Sequence, residues 1–201
     1  MHASHRFNAL AALSLLFLSG CPALPDGEPA PHTLTVLYTN DEHGWMQGME
    51  KGRGAAELMA LWREQEGYRE DGPFLLLSGG DNWTGPAIST WTEGESMVEV
   101  MNAMGYDASA VGNHEFDFGL ETMTQRFGEA DFPYLSANTV WRDSGAVASE
   151  LGLLPYSVLE AAGLRIGVIG LTTRATAVAT NPKHVSELRF EDYERALRRT
   201  A

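Results

Sequence analysis

Cysteine, basic residues and long apolar runs are all scarce in this sequence of 201 residues. The one cysteine, Cys21, cannot form an internal disulfide. Fourteen Lys and Arg residues stand against 27 Asp and Glu residues, which gives a formal net charge of −13. A surface this acidic repels phosphate backbones and excludes nucleic-acid polymers as partners, unless the acidity serves only solubility. A small phosphate ester is still allowed, because a bound cation can invert the local field.

The most apolar stretch, residues 9–18, is too short to span a bilayer but has the length of a signal-peptide core. Arg6 precedes it and Leu18-Ser19-Gly20-Cys21 follows it. This arrangement resembles the bacterial lipoprotein signal, in which the cysteine is lipidated and becomes the new N-terminus. We therefore expect a signal peptide at residues 1–21 with a lipidated Cys21, and a proline-rich, extended tether at residues 22–32.

The resemblance implies an exported protein, lipid-anchored to a membrane of the bacterial cell envelope and facing the periplasm or the outer surface. The alternative is an ordinary cleaved signal with an incidental cysteine.

Residues 33–201 alternate between predicted strands and helices. Apolar runs predict strands at residues 34–38, 74–77, 108–111 and 132–137, the first of them buried on both faces. Helical spacing of apolar residues predicts helices at residues 55–66, 95–104, 119–129 and 190–199. A hairpin is expected at residues 156–160 and 164–171, a loop with one short helical turn at 139–154 and an irregular segment at 172–188. The alternation predicts βαβ units and an α/β fold with a largely parallel sheet.

Three polar motifs come directly after the first three predicted strands. They are TNDEHG at residues 39–44, SGGDN at residues 78–82 and GNHEFD at residues 112–117. Ligands of such sheets bind beyond the carboxyl ends of the strands, so we expect all three motifs to meet at one edge. Carboxylate, imidazole and amide groups suit a hydrolytic metal that keeps positions open for water and substrate.

Each motif supplies candidate metal ligands. Asp41 and His43, two residues apart at a strand end, can both reach one cation. Asp81 has two oxygens and can bridge two cations, and Asn113 offers a neutral oxygen to the second cation. Any one of these motifs also has an ordinary explanation as a turn or a chance pair, and it is their shared order after buried strands that predicts a site.

The third motif also supplies a candidate catalytic pair. We expect His114 to contact the leaving group of a substrate rather than to bind a metal. Asp117, three residues further on, can orient and charge the imidazole, as carboxylates do at other histidines.

The motifs Asp-x-His, Gly-Gly-Asp and Gly-Asn-His-Glu resemble the opening signature of calcineurin-like metallophosphoesterases. Longer strings, at residues 37–44, 112–119, 136–138 and 163–173, are similar to the bacterial 5′-nucleotidase family. The resemblance implies a four-layer αββα sandwich, of which this chain is the incomplete N-terminal half. It also implies two divalent ions, whose identity among Zn, Mn, Fe, Co and Ni stays open.

Position by position, the resemblance assigns the ligand and catalytic roles given above, and Asn138 matches a further family position that we expect to be structural. The expected reaction is hydrolysis of 5′-nucleotides or related nucleotide esters. The alternatives are a sulfur-ester or cyclic-nucleotide hydrolase on the same scaffold, or a non-catalytic truncated lipoprotein.

The family also has three later histidines, which complete both metal shells, and a C-terminal substrate domain, and the sequence contains neither. His184 is expected to be a solvated loop residue instead. With three ligands for one metal and two for the other, the second site is incomplete. We therefore expect a fragment of a longer reading frame that is inactive in isolation. Trp45, Trp83 and Trp91 flank the motifs, and they either line a substrate pocket or pack beneath the loops.

Overall fold

The computed structural model describes residues 32–48, 50 and 53–201. The expected signal peptide, the lipidated Cys21 and nearly all of the tether lie outside the described residues. Within the described ranges, no helix combines the length and hydrophobicity that crossing a bilayer requires.

The described residues form nine strands and six α-helices. In chain order the strands are β1 (Thr35–Thr39), β2 (Phe74–Ser78), β3 (Ala108–Ala110), β4 (Tyr134–Leu135), β5 (Thr139–Trp141), β6 (Leu153–Leu154), β7 (Tyr156–Ala161), β8 (Leu164–Ile169) and β9 (Leu188–Phe190). The helices are α1 (Ala55–Leu61), α2 (Ala87–Trp91), α3 (Glu95–Met104), α4 (Gly119–Glu129), α5 (Thr176–Ala179) and α6 (Tyr193–Thr200). A π-helical turn, Trp62–Glu66, extends α1 to the predicted length.

The main sheet is parallel and has the order β1-β2-β3-β4-β6. The predicted α/β class with a parallel sheet is therefore confirmed. The prediction that the first strand is buried on both faces is wrong, because only one face of β1 is covered. Its alternate side chains point to opposite faces, so Leu37 and Thr39 are buried whereas Val36 and Tyr38 are 50% and 60% exposed.

The helices α3 and α4 occupy the predicted positions and bury an apolar stripe against the sheet. In α3 the buried side chains are Met97, Val98, Met101 and Met104, whose spacing matches one face of a helix. Gly105, with φ of 78°, ends this helix in the left-handed conformation that glycine adopts without a steric penalty. The loops at the carboxyl edge of the sheet are thus supported by a well-packed hydrophobic core.

The predicted hairpin is confirmed: β7 and β8 pair in antiparallel register from Tyr156 with Ile169 to Ala161 with Leu164. Its two turn residues, Ala162 and Gly163, both have positive φ, 54° and 73°, as a type I′ turn requires.

Two segments differ from the prediction. Residues 139–154 contain β5 and β6 besides the expected helical turn, and residues 172–188 contain the short helix α5. The strand β5 pairs with β9 across about 50 residues of sequence, a long-range partnership that a local pattern does not encode. Since Phe190 belongs to β9, the last helix begins later than predicted, after the N-cap Asp192, whose carboxylate accepts from the backbone nitrogen of Arg195.

Candidate functional site

The first two polar motifs lie side by side because the parallel pairing of β1 and β2 continues into their loops. The backbone nitrogen of Gly79 donates to Thr39 O at 2.9 Å. The backbone nitrogen of Asp41 donates to Gly80 O at 3.1 Å, and that of His43 donates to Asp81 O at 2.9 Å. The backbones of the candidate ligands Asp41, His43 and Asp81 are thereby fixed at the carboxyl edge of the sheet.

The third motif is joined to the second by Glu115, which is fully buried. Its carboxylate accepts from the backbone nitrogens of Gly112 at 2.7 Å, Asp81 at 3.0 Å and Asn82 at 2.7 Å. Burial raises the pKa of Glu115 to about 7, and the nearby charge of Asp81 adds to that rise while the three N–H groups oppose it. This role of Glu115 was not predicted, because its partners are backbone N–H groups.

Three of the four candidate metal ligands have strained backbones. Asp41, His43 and Asp81 have φ angles of 57°, 45° and 58°, in the left-handed region that residues other than glycine rarely occupy. Each such conformation costs on the order of 1–3 kcal/mol and persists only where surrounding contacts enforce it. Strain of this kind clusters at functional sites.

Asp41 and His43 direct potential metal-ligand atoms toward the same point. The Nδ1 atom of His43 lies 3.0 Å from the carbonyl oxygen of Thr84, so Nδ1 donates there and Nε2 carries the lone pair. That Nε2 atom lies 3.6 Å from Oδ1 of Asp41. A carboxylate oxygen and an imidazole lone pair placed in this way fit a divalent cation.

The structure also brings Asp81 and His114 together. The backbone nitrogen of His114 donates to Oδ1 of Asp81 at 2.8 Å. The rings of His43 and His114 pack edge to face, with 4.7 Å between their centroids. Asn113, which is half-buried, immediately precedes His114. In the part of the chain that the structure describes, no three Asp, Glu, His or Cys side chains are arranged to hold an ion. The case for a metal site thus rests on the chemical type of the candidate ligands and on the position of their loops at one edge of the sheet.

His114 and Asp117 are in direct contact, with Nδ1 2.6 Å from Oδ2. The carboxylate of Asp117 also accepts from the hydroxyl of Thr84 at 2.7 Å and from that of Thr180 at 2.8 Å. Burial lowers the pKa of His114, but the hydrogen bond and charge of Asp117, with Asp81 and Glu115, outweigh burial, so the pKa is raised.

The prediction that His184 is a solvated loop residue is wrong. It is half-buried, and its Nδ1 atom lies 3.0 Å from the carbonyl oxygen of Phe116, within the third motif. The reason is that residues 180–184 fold back onto that motif, a contact over 68 residues of sequence.

The three tryptophans differ in environment. Trp83 has no exposed surface and packs against Phe127 and Tyr134, so it supports the loops and does not line a pocket. Trp45 is 40% exposed and Trp91 is 85% exposed.

Asn138 is fully buried, as a structural residue would be. It exchanges two hydrogen bonds with the backbone of Thr172, both at 2.8 Å, and donates to Glu191 O at 3.2 Å. It therefore joins three segments of chain.

No protein-family model matches the chain. Among curated proteins, it is similar to a 5′-nucleotidase of Vibrio vulnificus, with 40% identity over 190 residues, which is 92% of this chain and 34% of the relative. A solved 5′-nucleotidase precursor of Thermus thermophilus has a TM-score of 0.69 and 28% identity, covering 83% of this chain and 33% of that one. For the calcineurin-like phosphoesterase YfkN of Bacillus subtilis the TM-score is 0.66 at 25% identity, covering 85% and 57%.

The fold is accordingly that of the N-terminal region of metallophosphoesterases. The resemblance to one family within that class is also confirmed: over most of its length the chain corresponds to the N-terminal part of 5′-nucleotidases. It spans about a third of the length of the curated relatives that it matches.

Proposed function

We propose that this chain carries part of the active site of a metal-dependent phosphohydrolase that acts on 5′-nucleotides or related nucleotide esters. The observation that supports it most is the His114–Asp117 pair beside the strained loops of Asp41, His43 and Asp81, all at the carboxyl edge of a parallel sheet. The similarity to 5′-nucleotidases supports the same class of reaction.

Asp41, His43, Asp81 and Asn113 would hold two divalent ions. When bound, such ions neutralise the charge of phosphate oxygens and favour attack by water. The donors are of the mixed oxygen and nitrogen type that Zn, Mn, Fe, Co or Ni accepts, so the sequence does not select one metal.

The chain's own residues handle the proton of the leaving group. Asp117 accepts a hydrogen bond from Nδ1–H of His114 and stabilises the imidazolium form, so Nε2–H can donate a proton to the substrate. As the oxygen of water forms its bond to phosphorus, the ester P–O bond breaks and the alcohol oxygen takes the proton from Nε2, which leaves the neutral imidazole. A proton released by the attacking water then restores the imidazolium.

The test measures release of phosphate from AMP by the protein that the full-length reading frame encodes. Bound metal is first removed with a chelator, and each metal is then added separately. We expect His114→Ala to lower the rate by at least about a hundredfold, the usual size of a general-acid effect. Asp81→Ala should also lower the rate, because it removes a ligand of the ions. Thr124→Val, which removes an exposed hydroxyl of α4, is the matched control. Unchanged rates in the two alanine variants would refute the assigned roles. A panel that includes cyclic nucleotides and sulfur esters identifies the substrate class.

A non-catalytic lipoprotein is the second candidate for the 201-residue chain by itself, because the assigned residues supply only three ligands to one ion and two to the other. Calorimetry with Mn²⁺ or Zn²⁺ separates the two candidates: absent or weak binding favours the second one, and two tight sites contradict it.

We also propose that residues 1–21 direct export and that Cys21 carries the lipid. The support is the sequence Leu18-Ser19-Gly20-Cys21 after an apolar core. Labelling of bacterial cells with radioactive palmitate tests it: the wild-type protein should take up the label and Cys21→Ser should not.

A further inference from the structure

Asp117 is held from both sides by hydroxyl groups that belong to different parts of the chain. The hydroxyl of Thr84, in the loop of the second motif, donates to Oδ2 at 2.7 Å. The hydroxyl of Thr180, directly after α5, donates to Oδ1 at 2.8 Å. Since His114 Nδ1 also lies 2.6 Å from Oδ2, both oxygens of the carboxylate have fixed partners.

A carboxylate with one partner would not be fixed in this way. The terminal torsion of an aspartate is broad, so its two oxygens can exchange places when only one of them is bound. His114 itself lies in a single 3-10 turn, His114–Phe116. Separate donors on Oδ1 and Oδ2 define the plane of the carboxylate and therefore the direction of the ring that it faces.

Because the site is largely buried, protein groups rather than water molecules must fix the orientation of the Asp117 carboxylate. Thr180 is 7% exposed, and the side chains of Asp117 and His114 are 20% and 28% exposed. A hydroxyl adds no charge, so it does not compete with His114 for the carboxylate as a lysine or arginine would. In surroundings that exclude most water, two such bonds are stronger than they would be at the surface.

The segment that carries Thr180 is also tied to the same loop at a second point. The Nδ1 atom of His184 lies 3.0 Å from Phe116 O, one residue before Asp117. Residues 180–184 are thus fixed against the third motif, which keeps the hydroxyl of Thr180 in place.

We propose that Thr84 and Thr180 are positioning residues that hold Asp117 so that it accepts a hydrogen bond from Nδ1–H of His114 and leaves Nε2 to the substrate. The last part rests on the proposed phosphohydrolase function. Both threonines act through Asp117.

The tautomer of His114 gives a test that needs no activity. In ¹H–¹⁵N spectra of the chain recorded at pH 9, assigned with His114→Gln, the wild-type ring should carry its proton on Nδ1. Thr180→Val, which keeps the shape and removes the hydroxyl, should give a mixture of both tautomers. Thr84→Val should have a smaller effect, because His114 on Oδ2 and Thr180 on Oδ1 remain. Thr180→Ser and the control Thr124→Val should retain the wild-type spectrum. A wild-type tautomer in folded Thr180→Val would overturn the proposal.

Dependence on the leaving group supplies the second test, in a preparation that hydrolyses AMP. Thr180→Val should lower kcat for AMP about tenfold, a fraction of a full general-acid effect, with KM nearly unchanged. The loss should be smaller for 4-nitrophenyl phosphate, whose leaving group departs without a proton, and Thr180→Ser should restore the rate. Equal losses for both substrates would overturn the positioning role. If the wild-type protein hydrolyses no AMP, the proposed function fails, and the tautomer spectra still decide whether the hydroxyls position His114.

Discussion

The carboxylate of Glu115 receives the backbone N–H of Asp81 at 3.0 Å, so a fully buried acid in the third motif fixes the main chain of a candidate ligand in the second. It does the same for Asn82 and Gly112, and no neutral side chain of this size can accept three such bonds while presenting no donor.

Glu115→Leu should therefore destabilise the chain. It leaves three buried backbone N–H groups without an acceptor, and each unmet buried hydrogen bond costs about 1–3 kcal/mol. Urea denaturation followed by tryptophan fluorescence measures the loss. Glu121→Leu, at an exposed position of α4, is the control and should stay within about 0.5 kcal/mol of the wild type. Equal stability of the two variants would mean that Glu115 does not hold the loops.

Gly112→Ala should weaken metal binding, although it adds only one methyl group. A Cβ atom at residue 112 would lie 2.3 Å from Oδ1 and 2.5 Å from the backbone nitrogen of Asp81, so the two loops must separate. Gly128→Ala is the matched control, because a Cβ there meets nothing within 4 Å and an α-helix gains about 0.5–1 kcal/mol from alanine. Calorimetry with Mn²⁺ together with thermal unfolding checks both variants. Undiminished metal affinity in a binding-competent Gly112→Ala preparation would contradict the close approach.

Asp107→Asn should stabilise the chain at neutral pH. Burial raises the pKa of Asp107, while its hydrogen bond from the backbone nitrogen of Leu76 at 2.7 Å opposes that rise. A raised folded-state pKa means that the group's favourable contribution is present below the unfolded pKa and is lost as pH rises through the folded one. Asparagine keeps an oxygen for Leu76 and removes the charge, so its advantage should appear above about pH 4 and shrink below it.

Thermal unfolding between pH 3 and pH 8 measures this difference for Asp107→Asn. The control is Asp131→Asn at an exposed position, which should show no such trend. An advantage independent of pH would show that ionisation is not its origin.

Ala162→Asn should stabilise the hairpin of β7 and β8. Ala162 has φ of 54°, a left-handed conformation that costs an ordinary residue about 1–2 kcal/mol and that asparagine tolerates better. We expect a gain of about 0.5–1 kcal/mol in thermal unfolding. The control is Ala103→Gly, at an exposed position within α3, which should lower the free energy of unfolding by about 1 kcal/mol. A loss of stability in Ala162→Asn would argue against the type I′ turn.

The sequence was sufficient for the elements whose signals are local. The helices α3 and α4 follow from apolar spacing, and the placement of the three motifs follows from strands that end at one edge. The side chain of Glu115 was harder to interpret, because its partners are backbone N–H groups, which leave no mark in the residue types around it.

Other features depend on contacts that no local pattern records. The pairing of β5 with β9 and the folding of Thr180 and His184 onto the third motif join residues about 50 to 68 positions apart. The exposure of Tyr38 was missed because an apolar run indicates a strand without indicating whether both of its faces are covered by other elements.

The backbone bonds from Asp41 to Gly80 and from His43 to Asp81 mean that the ligand loops take their shape from the fold itself. A cation arriving there would find the backbone of its ligand loops already ordered, so the chain does not need the ion in order to fold. After treatment with a chelator the protein should still unfold in one cooperative transition, although at a lower temperature than with metal bound, unlike proteins whose folding waits for a metal.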